Sequence, residues 1–305
     1  MRISLKEAVS LLKAGRVVAV PTDTVYGLAA PLKNVAAIEH LYDLKGRPSN
    51  KPMIVQVSDY KELIPFVHSF PPGFEAMVKK FWPGVLTLII PVKTERISKT
   101  VRSGLSTVGF RVPNHPVMLE LLQAFGPLVI PSANLSGKPS ATCAKHVEND
   151  FGEMFPVLDG GESEKGIEST ILFFSNDVWN IQRAGALAAE DFTDILGYTP
   201  LLTESKGDKL NAGILSKNMQ VCFHQYNRSC DEPITYVLGF DGRNYACSTV
   251  FSLGSLSNPE EIVHRFYSLL REIEVKGITN VWVDMDFPRE GLLETIALKL
   301  ERVIT

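Results

Sequence analysis

The chain has 305 residues, 45% hydrophobic and 21% charged, with 31 Lys and Arg against 34 Asp and Glu. At this length folding buries about 75% of the surface of the extended chain, so one large core or two medium ones can form without cross-links. The formal charge of −3 excludes a protein held to nucleic acid mainly by phosphate neutralisation and leaves room only for a local basic patch. Ser4 and Glu7 form a capping box ahead of a first helix with Leu5, Ala8, Val9 and Leu12 on one face and Gly15 past its end. Residues 16–20 are a β-branched run stopped by Pro21, and Asn34 caps a second helix carrying Val35, Ile38, Leu41 and Tyr42. Further short strands are expected at 53–57, 85–91, 107–112, 128–131, 170–174 and 178–182, alternating irregularly with helices as in a mixed α/β domain.

From 199 to 218 the apolar periodicity stops and the chain reads as a linker. Beyond it come a strand at 234–240, a helix opened by Asn258-Pro259-Glu260-Glu261 and closed at Gly277, a strand at 278–285 and a helix at 292–303. The expected division is therefore an α/β domain over 1–198, a linker over 199–232 and a small β-α-β-α domain over 233–305 without GxGxxG. Cys143, Cys222, Cys230 and Cys247 make no CxxC pair and the histidines no HExxH, which argues against a zinc site. Few cysteines and a helical start without a signal-peptide pattern favour the reducing cytoplasm. The longest apolar stretch, 85–90, is far short of the roughly 20 residues of a membrane span.

Four segments are polar where ligands gather in α/β sheets, at strand ends. Pro21-Thr22-Asp23-Thr24-Val25-Tyr26-Gly27 offers hydroxyls to a pocket, or equally forms a hydrogen-bonded turn. Lys45-Gly46-Arg47-Pro48-Ser49-Asn50-Lys51 places three cations at a helix end, suited to an anion or to the helix dipole. In 103–113, Thr107, Gly109 and Arg111 share one strand face, which is either an exposed face or one where an arginine beside a small residue suits a carboxylate. Ser132-Ala133-Asn134-Leu135-Ser136-Gly137 is a turn able to form an anion nest or to lead into a helix. Phosphate-loop, nucleophile-elbow and metal-ligand spacings are absent, so the pattern points to a site that orients charged ligands and lets them react.

Taken together, Pro21-Thr-Asp-Thr-Val-Tyr-Gly-Leu28, Lys45-Gly-Arg-Pro48, Ser132-Ala-Asn-Leu-Ser-Gly137 and Gly166-Ile-Glu-Ser-Thr170 closely resemble, in order and spacing, the YrdC-type threonylcarbamoyl-AMP synthases. The resemblance spans about 5–198, and the added C-terminal unit is similar to the longer Sua-type branch, with a linker across the site and a small Rossmann-like domain. It implies a YrdC-like twisted mixed sheet with flanking helices. It also implies synthesis of L-threonylcarbamoyl-adenylate from L-threonine, bicarbonate and ATP with loss of pyrophosphate, usually with Mg²⁺ brought by ATP rather than held by the protein. The product would pass to a separate transferase complex that modifies the tRNA adenosine next to the anticodon, with at most a weak tRNA contact here. By resemblance Thr24, Gln56, Arg111, Ser132 and Ser169 would hold threonine, and Arg47, Lys51, Thr107, Asn134, Thr142 and Arg183 would hold ATP. Lys45 and Tyr26 would line the same pocket. No side-chain nucleophile is implied; Lys45 and Arg47 would contribute most to catalysis by positioning.

Two positions depart from the pattern. Gln56 stands where the longer branch has a histidine, and the linker lacks that branch's His-Tyr pair in register: Asn218 and Met219 follow Ala212-Gly213-Ile214-Leu215-Ser216-Lys217, with His224 and Tyr226 the nearest candidates. The competing expectation is a non-catalytic YrdC-like module that binds RNA or a nucleotide. A hydrogenase-maturation carbamoyl transferase of the same fold is disfavoured because its zinc-finger cysteine pairs are missing.

Overall fold

In the computed structural model, which describes residues 1–203, 221–227 and 234–304, the capping box forms as expected. Ser4 accepts from Glu7 N at 3.3 Å while the Glu7 carboxylate takes the Ser4 N–H at 2.7 Å. The large sheet comprises β1 (Arg2–Ile3), β2 (Val18–Val20), β3 (Gly27–Pro31), β4 (Ile54–Gln56), β5 (Leu86–Pro91), β6 (Thr107–Arg111), β7 (Leu128–Val129), β8 (Val157–Leu158), β9 (Thr170–Ser175) and β10 (Val178–Arg183). Their order is β1-β8-β2-β3-β7-β4-β6-β5-β9-β10. It mixes parallel pairs such as β4 with β6 and antiparallel pairs such as β5 with β6.

Helices α1 (Leu5–Lys13), α2 (Val35–Lys45), α3 (Phe74–Phe81), α4 (Lys99–Arg102), α5 (Pro116–Phe125), α6 (Ala144–Phe151) and α7 (Thr193–Leu196) accompany this sheet. Both faces of the sheet are covered, and the strand period of two decides which residue serves which face. Val18 and Val20 pack with Ala8 and Leu12 of α1 and Leu121 of α5. Ala19, Leu28 and Ala30 pack on the other side with Ile38 and Leu41 of α2 and Met77 of α3.

A second, all-parallel sheet of order β11-β14-β12-β13 is built from β11 (Cys222–Gln225), β12 (Ile234–Gly239), β13 (Cys247–Ser252) and β14 (Asn280–Val283). Helices α8 (Pro259–Val275) and α9 (Gly291–Glu301) cover it through Ile262, Phe266, Leu270, Ile296 and Leu300. Val25 and Ile167, from loops of the large sheet, join the same apolar cluster. The two sheets are therefore tied by a shared core as well as by the polar contacts described below.

The stretch expected to be linker contains β11, a full partner of β14. Residues 212–219, the linker segment in which the His-Tyr pair is missing, lie outside the described residues. β13 was not expected: its Ser248, Thr249 and Val250 face solvent, so no alternation of apolar and polar residues marks it.

Candidate active site

The end of β2 delivers Pro21-Thr22-Asp23-Thr24 into the interior, where all four are buried. Thr22 Oγ1 donates to Val25 O at 2.6 Å and lies 2.9 Å from Thr24 Oγ1, so Thr24 is the donor in that contact. Arg111, at the end of β6, reaches this turn: Nη1 donates to Thr24 Oγ1 at 2.6 Å, Nε to Gly84 O at 2.8 Å, and Nη2 closes on Asp23 Oδ1. Asp23 was given no role from sequence, yet it is the counter-charge of Arg111, and its other oxygen, Oδ2, is buried without a hydrogen-bond partner. On β4, Gln56 stands in register beside Arg111, also buried, with Oε1 unpartnered. Two unfilled acceptors thus flank one buried guanidinium, an environment that suits an ammonium donor next to a carboxylate.

A second cluster is cationic. α2 ends where Gly46 takes the left-handed conformation at φ 59°, which a residue with Cβ adopts only with strain. The turn leaves Lys45 buried and sends Arg47 back over the loop. Lys45 Nζ donates to Ser132 O and, at 2.7 Å, to Asn134 O, so the second and fourth polar segments are stitched together. Burial, reinforced by the charge of Arg47, pushes the Lys45 pKa down to about 7. Arg47 Nη2 donates to Pro52 O at 3.0 Å, and Ser132 Oγ to Asn134 Oδ1 at 2.6 Å.

From the end of β10, Arg183 donates to Ser169 O at 2.8 Å and to Ser169 Oγ at 3.0 Å, while Ser169 Oγ sits 2.7 Å from Thr87 Oγ1. Burial lowers the pKa of both Arg47 and Arg183; the charge of Arg183 lowers Arg47 further, as that of Arg111 lowers Arg183. The nearby carboxylates are paired elsewhere, Asp23 with Arg111, Asp150 with Arg271 and Glu168 with Lys299. Among the described residues Lys45, Arg47 and Arg183 join no ion pair.

Thr24, Gln56 and Arg111 therefore meet at one locus, and Lys45, Ser132 and Asn134 at another; Ser169 with Arg183 forms a third. The other expected residues stand differently. Thr107 opens β6 and lies about 13 Å along the strand from Arg111, at about 3.3 Å per residue. Thr142 contacts His146 Nδ1 at 3.1 Å and Ser268 Oγ of α8 at 3.0 Å, so its hydroxyl is engaged by the second sheet's helix. Tyr26 is fully buried, its hydroxyl donating to Gly161 O at 2.7 Å and accepting from Gly160 N at 3.0 Å. His224 and Tyr226 lie at β11: His224 Nε2 is 3.2 Å from Asn280 Oδ1 on β14, and the Tyr226 ring meets Tyr245 edge-on at 5.4 Å.

Glu168 was quoted as a motif letter without a role. Its Oε1 accepts from Ser140 Oγ at 2.7 Å and Tyr267 OH at 2.8 Å, and its Oε2 from Lys299 Nζ at 2.7 Å. Burial opposes its charge, but Lys299 and Arg183 outweigh burial and hold the carboxyl well below its usual range. No sequence periodicity could have shown this, because the partners are 131 and 99 residues away. Among the described residues no three His, Cys, Asp or Glu side chains gather as a metal cluster, and no helix is long and apolar enough to cross a membrane.

The Sua5/YciO/YrdC family model, described as telomere recombination, matches residues 10–185. The chain belongs to that family. Its relatives in this family include a threonylcarbamoyl-AMP synthase of Bacillus subtilis, 43% identical over 195 residues, which are 63% of this chain and 56% of that protein. One of Pyrococcus abyssi is 37% identical over 195 residues, 63% of this chain and 57% of that protein. In sequence the chain thus spans little more than half the length of these relatives. In structure, P. abyssi Sua5 complexed with L-threonine superposes with a TM-score of 0.85 at 26% identity, covering 99% of this chain and 96% of that one. The likeness to this Sua5 structure extends through the second sheet, beyond the residues the family model matches.

Proposed function

We propose that the protein is an L-threonylcarbamoyl-adenylate synthase, joining L-threonine, bicarbonate and ATP and releasing pyrophosphate. The observation that carries this reading is the set Lys45, Arg47 and Arg183: desolvated cations that join no ion pair among the described residues, within reach of one another's fields and beside the Thr24–Arg111–Gln56 locus. Cations kept together against their mutual repulsion suit a polyanion such as a triphosphate. The relatives named for this activity, and the one solved with L-threonine, support the same reading.

In this reading Thr24, Gln56, Arg111, Ser132 and Ser169 bind threonine. Arg111 faces the carboxylate after exchanging part of its contact with Asp23, and the open acceptors Asp23 Oδ2 and Gln56 Oε1 accept hydrogen bonds from the ammonium. Arg47, Lys51, Thr107, Asn134, Thr142 and Arg183 hold ATP, with Thr142 turning from Ser268. The threonine amine, having given one proton to solvent, attacks the bicarbonate carbon and a C–O bond breaks with loss of water, which leaves the carbamate; a carbamate oxygen attacks the α-phosphorus, the bond to the β-phosphate oxygen breaks, and pyrophosphate carries away the electron pair. Lys45, Arg47 and Arg183 stabilise that departing charge, and the rest is orientation. The cation-rich donor set, with no carboxylate cluster among the described residues, fits Mg²⁺ arriving on the triphosphate and not held by the protein; when bound, Mg²⁺ would neutralise phosphate charge. The adenylate then passes to a transferase that modifies tRNA, in the cytoplasm.

The test is pyrophosphate release from ATP with and without L-threonine and bicarbonate. Release is expected to require both and to fall at least about a hundredfold in Arg47→Ala, Arg111→Ala, the loss of two charge-assisted contacts. ATP binding without such release would leave the nucleotide- or RNA-binding module instead.

A further inference from the structure

The helices of the second sheet reach into the loops of the proposed site at three places. From α8, Arg271 donates to Ser140 O at 3.2 Å and pairs with Asp150 at 2.9 Å, and Ser268 meets Thr142. From α9, Thr295 Oγ1 donates to Gly185 O at 3.2 Å. Between these contacts Tyr267 of α8 and Lys299 of α9 converge on Glu168, the residue before Ser169.

Glu168 and Arg183 lie close enough to feel each other's charge, yet Arg183 is bonded to the neutral Ser169 oxygens and not to the carboxylate. A guanidinium prefers a carboxylate to a carbonyl, since charge-assisted hydrogen bonds are about twice as strong as neutral ones. What prevents the exchange is that Ser140, Tyr267 and Lys299 already fill Glu168: three donors, one charged, on two oxygens.

We propose that Lys299, with Tyr267, is a positioning residue for the nucleotide site: by satisfying Glu168 from the second sheet's helices, it leaves Arg183 on Ser169 and facing the phosphates. The inference rests on the ATP-binding role of Arg183 in the function proposed above. It gives the second sheet a task in nucleotide binding that is exerted by charge and requires no contact with ATP. Without Lys299 the buried carboxylate loses its counter-charge, and Arg183 becomes the cation that replaces it.

The test measures the ATP Kd of the full chain by calorimetry, beside wild-type turnover. Lys299→Met is expected to raise Kd about tenfold or more, the change that 1.4 kcal/mol gives. Adding Glu168→Gln removes the charge that would capture Arg183, and the double variant is expected to return to within about threefold of wild type, the ordinary scatter between non-additive sites. A merely structural tether predicts the opposite, since the double variant restores no contact. Should Lys299→Met fail to fold, Tyr267→Phe carries the test, with a rise of about threefold, reversed by Glu168→Gln, from the loss of the hydroxyl's bifurcated hydrogen bond to the carboxylate. An unchanged Kd in the folded single variants, or no recovery in the doubles, beside normal wild-type turnover overturns this inference alone. The expected Kd series without threonine- and bicarbonate-dependent pyrophosphate release overturns the synthase reading alone.

Discussion

Lys45 sits with its ammonium on the carbonyls of Ser132 and Asn134, and burial and Arg47 bring its pKa to about 7. Near neutrality it carries only part of its charge. A bound triphosphate favours the charged form, so ATP binding draws a proton onto Lys45 wherever the free protein has lost it, which is above about pH 7. Calorimetry in buffers of different ionisation enthalpy should show proton uptake on ATP binding at about pH 8 and little at about pH 6, and Lys45→Met should abolish the difference. For stability the sign is opposite: the unfolded chain binds the extra proton between about pH 7 and 10.5, so this residue's contribution rises with pH across that window. The lysine itself was legible in the sequence, because a helix end followed by Gly46 and Pro48 marks it. Asp23 was legible only as a letter among hydroxyls, since its partner Arg111 is 88 residues away.

Among the elements, those rich in β-branched residues or carrying explicit caps were readable: β2, β5, β6, α1 and α8 fall within a few residues of expectation. β3 escaped because Gly27-Leu28-Ala29-Ala30 carries no β-branched residue and no alternation; it is a strand because its edges pair with β2 and β7 and both of its faces are buried. β1 and β8 are two residues each, too short for any period. The junction after β10 shows how tightly elements meet at the site. A Cβ on Gly185 would lie 2.4 Å from the Ser169 carbonyl carbon and 2.5 Å from Glu168 O, both backbone atoms that cannot swing away. Gly185→Ala should therefore push β10 from the 168–169 segment, destabilising the protein by roughly 1–3 kcal/mol, as overpacking does. Urea melts check the stability, and the ATP Kd, expected to weaken with Arg183 displaced, checks the consequence.

Across the whole molecule the docking of the two sheets is as polar as it is apolar. Among the described residues the Arg271–Asp150 pair is the most enclosed ion pair, with side chains 4% and 0% exposed. Removing one partner strands the other without water, so Asp150→Ala should cost about 3–5 kcal/mol in denaturant unfolding, while replacing both by methionine should cost far less. The length allowed one large core or two medium ones, but the docking could not be read from it, because each buried charge looks like a surface residue until its distant partner is placed.

The order of the large sheet has a further consequence during synthesis. Arg2 pairs with Val157, β2 borders the same late strand β8, and β5 waits for β9. A growing chain thus carries the open edge of β2 until residue 158 has emerged, and an unpaired strand edge is a template for another chain. Assembly must wait for partners far along the chain, which is slow by the measure of contact separation. Conditions that delay the arrival of β8 should therefore raise the aggregated fraction, whatever the stability of the finished protein.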